Sequence, residues 1–325
     1  MIIAVTGANG HVGVNLCKAL LALGHEVRAL THTHAQALKD IPVTLVKGDV
    51  LDRASLMPLL AGADVVYHLA ARISITGDPD GMVHRINTEG PKNMVDTALA
   101  CNVKRFIHFS SIHAFNQQPQ SEPLDETRPL VTHEGFAYDR SKATGERTVM
   151  EAVARGLNAL VLSPTAIIGP ADPEPSLIGM AVLDLYHKKI PSLVPGGYDW
   201  VDVRDVVKAA IAALDHGRIG QKYLISGHWH SLQEFSTLIT KHAGVRTAQT
   251  VLPIWLARIG LPFITMYSYL TGTKPLYTSE SLTIISEGNR QISHAKARAE
   301  LGHDPRPLTN TIHDLLVWFK ENGKL

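Results

Sequence analysis

The sequence has little net charge and few cysteines. Its 31 lysine and arginine residues almost cancel its 30 aspartates and glutamates in 325 residues, so no basic excess indicates a nucleic acid partner. Cys17 and Cys101 lie outside any metal or redox motif, which favours inert thiols in a reducing compartment without disulfides. These features favour a cytoplasmic protein that binds a small molecule.

The sequence also lacks a recognisable targeting segment, an internal repeat and a low-complexity tract. The apolar N-terminal run has no basic region before it, which favours a buried first strand over a signal peptide. One long apolar segment, residues 251–270, is interrupted by Pro253, Arg258, Gly260 and Pro262. These interruptions argue against a bilayer span and favour a helix pair that covers the substrate, with peripheral membrane contact as the alternative.

Histidine is abundant, with 17 residues, and raises the question of a metal site. The pairs His32 and His34, and His228 and His230, come nearest to ligand spacing. No cysteine, aspartate or glutamate completes a closed ligand set beside either pair. We therefore expect surface or loop histidines and no metal.

Short β-rich runs alternate with helical stretches along the chain. The predicted strands are residues 2–6, 26–30, 43–46, 65–69, 106–109, 159–162 and 222–226. Alternation of this kind predicts an α/β, Rossmann-type doubly wound parallel sheet of about seven strands, the last of which come from late in the chain.

Two stretches rich in proline and glycine, residues 169–175 and 195–197, break regular structure and indicate crossings into a second lobe. We predict a nucleotide-binding domain from residues 1–169 and 201–227. Residues 170–200 and 228–325 would form a smaller, mostly helical substrate-binding lobe, with helices near 232–243 and 308–322.

A glycine-rich turn follows the first predicted strand and begins a helix. A pyrophosphate requires backbone N–H groups at a helix N-terminus, and glycine permits both the tight turn and the close approach. The G-x-x-G-x-x-G spacing matches the general dinucleotide pattern only approximately, but its place between strand and helix favours a cofactor site over a structural turn. The predicted contacts are Gly7, Asn9, Gly10, His11, Val12 and Gly13.

The choice of cofactor depends on the end of the second strand. Enzymes that prefer NAD usually carry an acid there for the ribose 2′-hydroxyl, whereas this sequence has His32 after Thr31. Arg28 either supports a 2′-phosphate or faces solvent. We therefore favour NADP(H) over NAD(H). After the third strand Asp49 is placed to accept from the adenine amino group, while Asp52 is the better helix N-cap.

Tyr138 and Lys142 lie four residues apart in a predicted helix over residues 136–155, hence on one face. A neighbouring ammonium favours the phenolate and lowers the tyrosine pKa from its usual value of about 10. Such a pair also occurs by chance in structural helices. Ser110 and Ser111 end the fifth predicted strand, where open parallel sheets bind ligands, although serines there also cap turns. Taken together, these features predict Ser111, Tyr138 and Lys142 as catalytic residues.

These motifs resemble the extended branch of the short-chain dehydrogenase/reductase superfamily, also called the NAD(P)-dependent epimerase/dehydratase family. Further matching segments are Asp49-Val50, His68-Leu69-Ala70-Ala71, Asn87-x-x-Gly90-x-x-Asn93 and residues 201–206. The resemblance implies a homodimer through the long helices, with Lys142 on the nicotinamide ribose. It also implies cofactor contacts from Val50, Leu69, Ala70, Ala71, Ser110 and Tyr138.

Within that branch residues 163–170 are most similar to dihydroflavonol 4-reductase-like proteins. The resemblance implies that Pro164, Thr165 and Ile167 contact the cofactor, and that Asn116 contacts substrate, with a loop-turn role for Asn116 equally open. Sugar-nucleotide epimerases commonly have an arginine where this chain has Ser163.

We therefore predict an NAD(P)(H)-dependent oxidoreductase that moves a hydride to or from a small, apolar or aromatic carbonyl or alcohol, with Ser111 and Tyr138 also contacting the substrate. A nucleotide-sugar epimerase or dehydratase is one alternative, with Arg246, Arg258 and Arg290 as scattered candidates for binding a diphosphate. A hydroxysteroid dehydrogenase-like enzyme is another. A non-catalytic NAD(P)-binding sensor is least favoured because it would ordinarily lack the tyrosine or the lysine.

Overall fold

The computed structural model of the chain describes residues 1–271 and 277–325. Its strands are β1 (Ile2–Thr6), β2 (Glu26–Thr31), β3 (Thr44–Lys47), β4 (Val65–His68), β5 (Arg105–Phe109), β6 (Ala159–Pro164), β7 (Ala166–Ile168), β8 (Gly197–Asp202), β9 (Lys222–Ile225) and β10 (His228–Ser231). Within the described residues seven of them form a parallel sheet in the order β3-β2-β1-β4-β5-β6-β9. The doubly wound parallel sheet predicted from the sequence is confirmed, including its late edge strand.

Helices cover both faces of this sheet and build the C-terminal part of the chain. They are α1 (His11–Ala22), α2 (Arg53–Leu60), α3 (Met82–Ala100), α4 (Ala137–Ala154), α5 (Leu177–Tyr186), α6 (Val203–Asp215), α7 (Leu232–Ala243), α8 (Ile254–Thr271), α9 (Ser279–Glu287), α10 (Ala295–Leu301) and α11 (Leu308–Glu321). The apolar faces of α1 and α6 pack on one side of the sheet, and those of α2, α3 and α4 pack on the other. We call this sheet and its covering helices the main-sheet region.

The small sheet β10-β8-β7 was not predicted. Its strands are short, and β10 carries polar side chains at partly exposed positions, so the sequence shows no alternation of apolar residues there. Beside this sheet Trp200 of β8 stacks on Phe235 of α7 with ring centroids 4.2 Å apart. The small sheet, α5, α7–α9 and α11 form what we call the C-terminal region, whereas α10 packs in the core of the main-sheet region.

The expectation of a helix pair over residues 251–270 is wrong, because α8 is one helix that runs through Pro262. Proline removes the N–H that would bond to the carbonyl four residues earlier, here Arg258. Pro262 lies on the exposed side of α8, where water can satisfy that carbonyl. No helix among the described residues is both long enough and apolar enough to cross a bilayer.

Candidate active site

The turn after β1 depends on two glycines that no other residue could replace. Gly7 has φ +68°, and a Cβ there would lie 2.8 Å from the backbone nitrogen of Ala70. A Cβ on Gly13 would lie 2.2 Å from the carbonyl oxygen of Gly7. Gly10 differs, since its Cβ would come only to 3.4 Å from that same oxygen. Gly7 and Gly13 therefore shape the turn, whereas Gly10 leaves space above it.

That space lies at the N-terminus of α1. No described side chain caps the helix, and its first turn carries no acidic residue. The N–H groups of His11, Val12 and Gly13 precede the intrahelical hydrogen bonds and can bind an anion, which the helix dipole favours. The cradle that a Cβ at Gly10 would fill, together with these donors, fits the pyrophosphate of NAD(P).

The first of the two crossing stretches, residues 169–175, contacts this turn. The His11 Nε2 atom lies 3.1 Å from the Pro170 carbonyl oxygen, and Asn15 donates to the Ala171 carbonyl at 3.1 Å. Asn9 donates to Glu174 at 3.4 Å and accepts from the backbone N–H of Ala37. Asn9 and His11 thus have protein partners at the border of the site, and their cofactor contacts stay predictions.

Around the adenine end, Asp49 lies next to His32, with 3.4 Å between the His32 Nε2 and a carboxylate oxygen. Its other oxygen accepts from the Leu51 N–H. Asp52 caps α2 by accepting from Ala54 at 3.0 Å, the role expected for it. Arg28 donates to the Ala61 carbonyl at 2.7 Å, so its guanidinium is engaged there.

Buried hydrogen bonds hold the segment after β4 beside the glycine turn. The Thr6 hydroxyl lies 2.7 Å from His68 Nδ1 and accepts from the Ala70 N–H, which places residues 69–71 against the turn. Asn87 accepts from the Arg72 N–H and donates to Ser141 at 2.9 Å. One side chain of α3 therefore ties the segment after β4 to α4.

The predicted catalytic residues meet where β5 ends and α4 begins. Ser111 follows β5 and accepts from the His113 N–H at 3.2 Å, and Tyr138, in the first turn of α4, is near enough to Ser111 for the serine hydroxyl to lower the pKa of the phenol. Lys142 lies one turn further along α4, is 4% exposed and donates from Nζ to the Phe109 carbonyl at 2.6 Å. The structure thus brings a hydroxyl, a phenol and an ammonium to the carboxyl edge of the sheet.

The acid–base properties of this group differ from the sequence-based expectation. Burial raises the pKa of Tyr138 to about 12, and the hydrogen bond from Ser111 opposes that increase. Burial lowers the pKa of Lys142 to about 8. In this structure the Ser111 hydroxyl acts to lower the tyrosine pKa, and the Lys142 ammonium is bonded to the Phe109 carbonyl.

Three titratable residues beside Tyr138 were not predicted. The His113 ring centroid lies 6.0 Å from the Tyr138 ring, and His113 Nδ1 lies 3.5 Å from an Asp139 carboxylate oxygen. Burial raises the pKa of Asp139 to about 7, and it also raises the pKa of Glu280, with the charge of Asp139 adding to the effect. His113 and Asp139 lie within two residues of Ser111 and Tyr138 in the sequence, and this proximity could have identified them as candidate site residues. The sequence around Glu280, on α9, contains no comparable indication.

Other predicted residues have structural partners. Asn116 is exposed and accepts from the Gln118 N–H at 3.0 Å, which is the loop-turn role, so its substrate contact stays a prediction. Thr165 donates to buried Asp199 at 2.7 Å, beside Pro164 at the end of β6 and Ile167 on β7. The buried Ser110 hydroxyl has no hydrogen-bond partner among the described residues.

The cysteines and histidines show no further chemistry in the described part of the chain. Cys17 is buried, and burial raises its pKa to about 12, whereas Cys101 is only half-buried. Within residues 1–271 and 277–325 no three histidine, cysteine or acidic side chains converge as metal ligands. His228 instead lies 3.2 Å from the Pro305 carbonyl oxygen.

Comparison with known proteins places this site in a family. The model of the NAD dependent epimerase/dehydratase family matches residues 3–226. Sterol demethylase protein B of Methylococcus capsulatus is 31% identical, over 99% of both chains. A putative dihydroflavonol 4-reductase of Synechocystis is 27% identical, over 98% of this chain and 94% of the relative. The crystal structure of gox2253 superimposes with a TM-score of 0.86 at 29% identity, covering 100% of this chain and 99% of its own. The chain therefore belongs to the NAD dependent epimerase/dehydratase family, whose members bind NAD(P).

Proposed function

We propose that this protein transfers a hydride between a nicotinamide cofactor and an apolar or aromatic carbonyl or alcohol. The observation that carries the proposal is the convergence of Ser111 and Tyr138 at the carboxyl end of β5, with Lys142 one helix turn further along α4 and bonded to the Phe109 carbonyl. The cofactor, when bound over the glycine turn, supplies or accepts the hydride. The protein must then supply the proton and hold the substrate oxygen.

The side chains divide those tasks. Tyr138 donates the proton to the substrate oxygen during reduction and accepts it during oxidation. Ser111 donates a hydrogen bond to the same oxygen and stabilises the charge that develops there. Lys142, held by the Phe109 carbonyl, provides a positive charge on the same face of α4. Its buried ammonium favours the phenolate over the phenol whenever the two groups approach.

The substrate class follows from what surrounds the site. Ser163 is wholly buried in β6, where sugar-nucleotide epimerases commonly carry an arginine. Arg258 lies 3.7 Å from Glu287, Arg290 stacks over Trp229 at 4.8 Å, and Arg246 is exposed, so the three do not form one diphosphate site. The names of two relatives specify a sterol and a dihydroflavonol, both bulky and largely apolar ring systems. These observations support an apolar substrate over a nucleotide sugar.

NADP(H) is the cofactor that we favour. The last residue of β2 is Thr31, and the exposed side chain that follows it is His32, so no acid stands there to repel a 2′-phosphate. Arg28 contributes nothing to this preference, because it is bonded to the Ala61 carbonyl.

The test is a turnover screen with the purified protein. Steroid alcohols and ketones, flavonoid-like compounds and aromatic aldehydes are compared with UDP- and GDP-sugars, each with NADPH and NADH. We expect cofactor oxidation or reduction with at least one apolar compound, no change in the sugars, and NADPH binding several-fold tighter than NADH, about 1 kcal/mol. Epimerisation of a nucleotide sugar would assign the protein to the alternative class, and equal cofactor affinities would refute the NADP(H) preference alone.

A further inference from the structure

Helix α8 exposes apolar side chains along one whole face. Trp255, Ile259, Phe263, Met266 and Leu270 are 58%, 60%, 75%, 59% and 74% exposed. At 100° per residue these five positions fall within an arc of about 80°, and at 1.5 Å per residue they extend over about 22 Å. We call these five residues the apolar stripe. It is a continuous surface and not a scatter of single exposed residues.

The N-terminal half of α8 packs on the protein on the side away from the apolar stripe. Ala257 is buried, its carbonyl accepts from the Tyr277 phenol at 3.1 Å, and that phenol lies against Gly260. A large, continuous apolar surface on a protein normally marks a place where a partner or a membrane covers it. In this chain the protein covers one face, and the apolar stripe faces outward.

The electrostatics of the surroundings indicate what covers it. Over its 18 residues α8 has no acid, and its one charged residue, Arg258, is half-exposed at 3.7 Å from Glu287. The backbone of Leu193 pairs with residues 250 and 252, directly before α8. Lys188 and Lys189 are exposed and precede Leu193 by at most five residues, so each lies within about 18 Å of Leu193 along the chain. The Lys189 ammonium lies 3.3 Å from a carboxylate oxygen of Asp184. An anionic surface complements this apolar stripe with basic residues beside it.

The apolar stripe is also connected to the candidate active site. Tyr277 bonds to the first turn of α8, and the next residue, Thr278, donates to the Ile75 carbonyl at 2.6 Å. Two residues later, Glu280 is buried, and the charge of Asp139, the neighbour of Tyr138, helps to raise the pKa of its carboxyl group. Consecutive residues therefore link α8 to the segment beside the catalytic residues.

We propose that α8 docks this protein on an anionic lipid bilayer, with the apolar stripe inserted at the boundary between headgroups and acyl chains. Trp255 and Phe263 would lie in the interface, and Lys188, Lys189 and Arg258 near the headgroups. If the proposed function holds, an apolar substrate dissolved in the bilayer would then meet the enzyme beside Ile75. The docking itself does not depend on that function.

The experiment measures partition of the full purified chain onto vesicles of phosphatidylcholine, with and without phosphatidylglycerol, by co-sedimentation. The variant Ile259→Ser/Phe263→Ser/Met266→Ser removes the centre of the apolar stripe. The control Leu23→Ser/Leu45→Ser/Ile219→Ser removes three residues that are 56%, 51% and 55% exposed elsewhere. We expect binding that phosphatidylglycerol strengthens and salt weakens, a decrease of at least tenfold for the stripe variant, and near-parental binding for the control.

A second measurement does not require the triple variant to fold. Lipids brominated near the headgroup should quench part of the tryptophan fluorescence of the parent, and Trp255→Phe should abolish that quenching while vesicle binding persists. Arg258→Gln should weaken binding to phosphatidylglycerol vesicles about fivefold, because one arginine near an anionic surface contributes about 1 kcal/mol. The same variant should bind neutral vesicles as the parent does.

Several results would overturn the proposal. If the parent binds to neither kind of vesicle, or if the stripe and control variants bind equally well, the result contradicts docking by the apolar stripe. Unchanged quenching in Trp255→Phe, or vesicle binding of equal strength with and without phosphatidylglycerol, would contradict it as well. A shift of the stripe variant from dimer to monomer in vesicle-free sedimentation would assign the stripe to a second copy of the chain, in place of the homodimer expected through α3 and α4. The vesicle experiments contain no substrate, so their outcome does not depend on whether the proposed hydride transfer is correct.

Discussion

The main-sheet region and the C-terminal region are built in different ways. In the first, backbone geometry restricts the residues: Gly7 and Gly13 admit no side chain, and Asn87 makes hydrogen bonds to two other elements. In the second, α8 and α9 are joined to the rest by hydrogen bonds from Tyr277 and Thr278. We therefore expect the catalytic residues to lie in the main-sheet region, where few substitutions are tolerated. We expect the residues that select the substrate to lie in the C-terminal region, where more substitutions are tolerated.

The largest expected effect tests where the chemistry lies. Tyr138→Phe keeps the ring and removes the hydroxyl that transfers the proton, so kcat should decrease by about 10²–10⁴ while cofactor affinity stays nearly unchanged. Tyr198→Phe, a matched change in the C-terminal region, should retain near-parental turnover. Steady-state kinetics on a substrate found in the screen, with cofactor titration, provide the measurement. Comparable activity of Tyr138→Phe and the parent would remove Tyr138 from the mechanism.

A pair of glycine variants separates folding from cofactor binding within the main-sheet region. Gly13→Val places a Cβ 2.2 Å from the Gly7 carbonyl oxygen and should reduce stability by about 1–3 kcal/mol or more. The Cβ of Gly10→Val comes no closer than 3.4 Å to another atom, so its thermal midpoint should decrease less than that of Gly13→Val, while NADPH affinity decreases at least tenfold. Thermal melts and fluorescence titration measure the two effects. Tight NADPH binding by Gly10→Val would mean that the cofactor does not lie over this turn.

The smallest effect concerns Asp139, where the two regions meet. Its pKa is about 7 in the folded protein, against about 3.9 for an ordinary aspartate, so folding favours the protonated form. The contribution of Asp139 to the free energy of unfolding therefore becomes more unfavourable as pH rises from about 4 to 7, and it is constant above that range. Asp139→Asn should be more stable than the parent by about 1–3 kcal/mol at pH 8, with the gain shrinking at pH 5. Urea unfolding at both pH values measures it, and destabilisation at pH 8 would contradict the assignment.

The sequence predicted the main sheet because each parallel strand is a short apolar run between helical stretches. Ile2–Thr6 was predicted at its observed bounds, and the other six strands within two residues at each end. The same approach failed at Pro262, because whether a proline ends a helix depends on the exposure of the freed carbonyl. It also failed at β7, β8 and β10, where pairing depends on tertiary contacts and not on local alternation.

The candidate site shows the same limit. Ser111, Tyr138 and Lys142 could be proposed together because their positions at a strand end and on one helix face follow from local structure. The bond from Lys142 to the Phe109 carbonyl depends on how closely α4 approaches β5, which no spacing reveals. Glu280 reaches Asp139 from 141 positions along the chain, so only the folded structure identifies it.

The position of β9 has a consequence for biosynthesis. Glu146, one turn after Lys142 on α4, is wholly buried, and its carboxylate lies 3.1 Å from the Lys222 ammonium on β9. The ribosome adds Lys222 only after residues 165–221, which include β7, β8 and α5, have been made. Until then the nascent chain has an exposed β6 edge and a carboxylate without its cation. The sheet that carries the proposed catalytic residues is therefore completed late in translation, and the β6 edge stays unpaired in the interval.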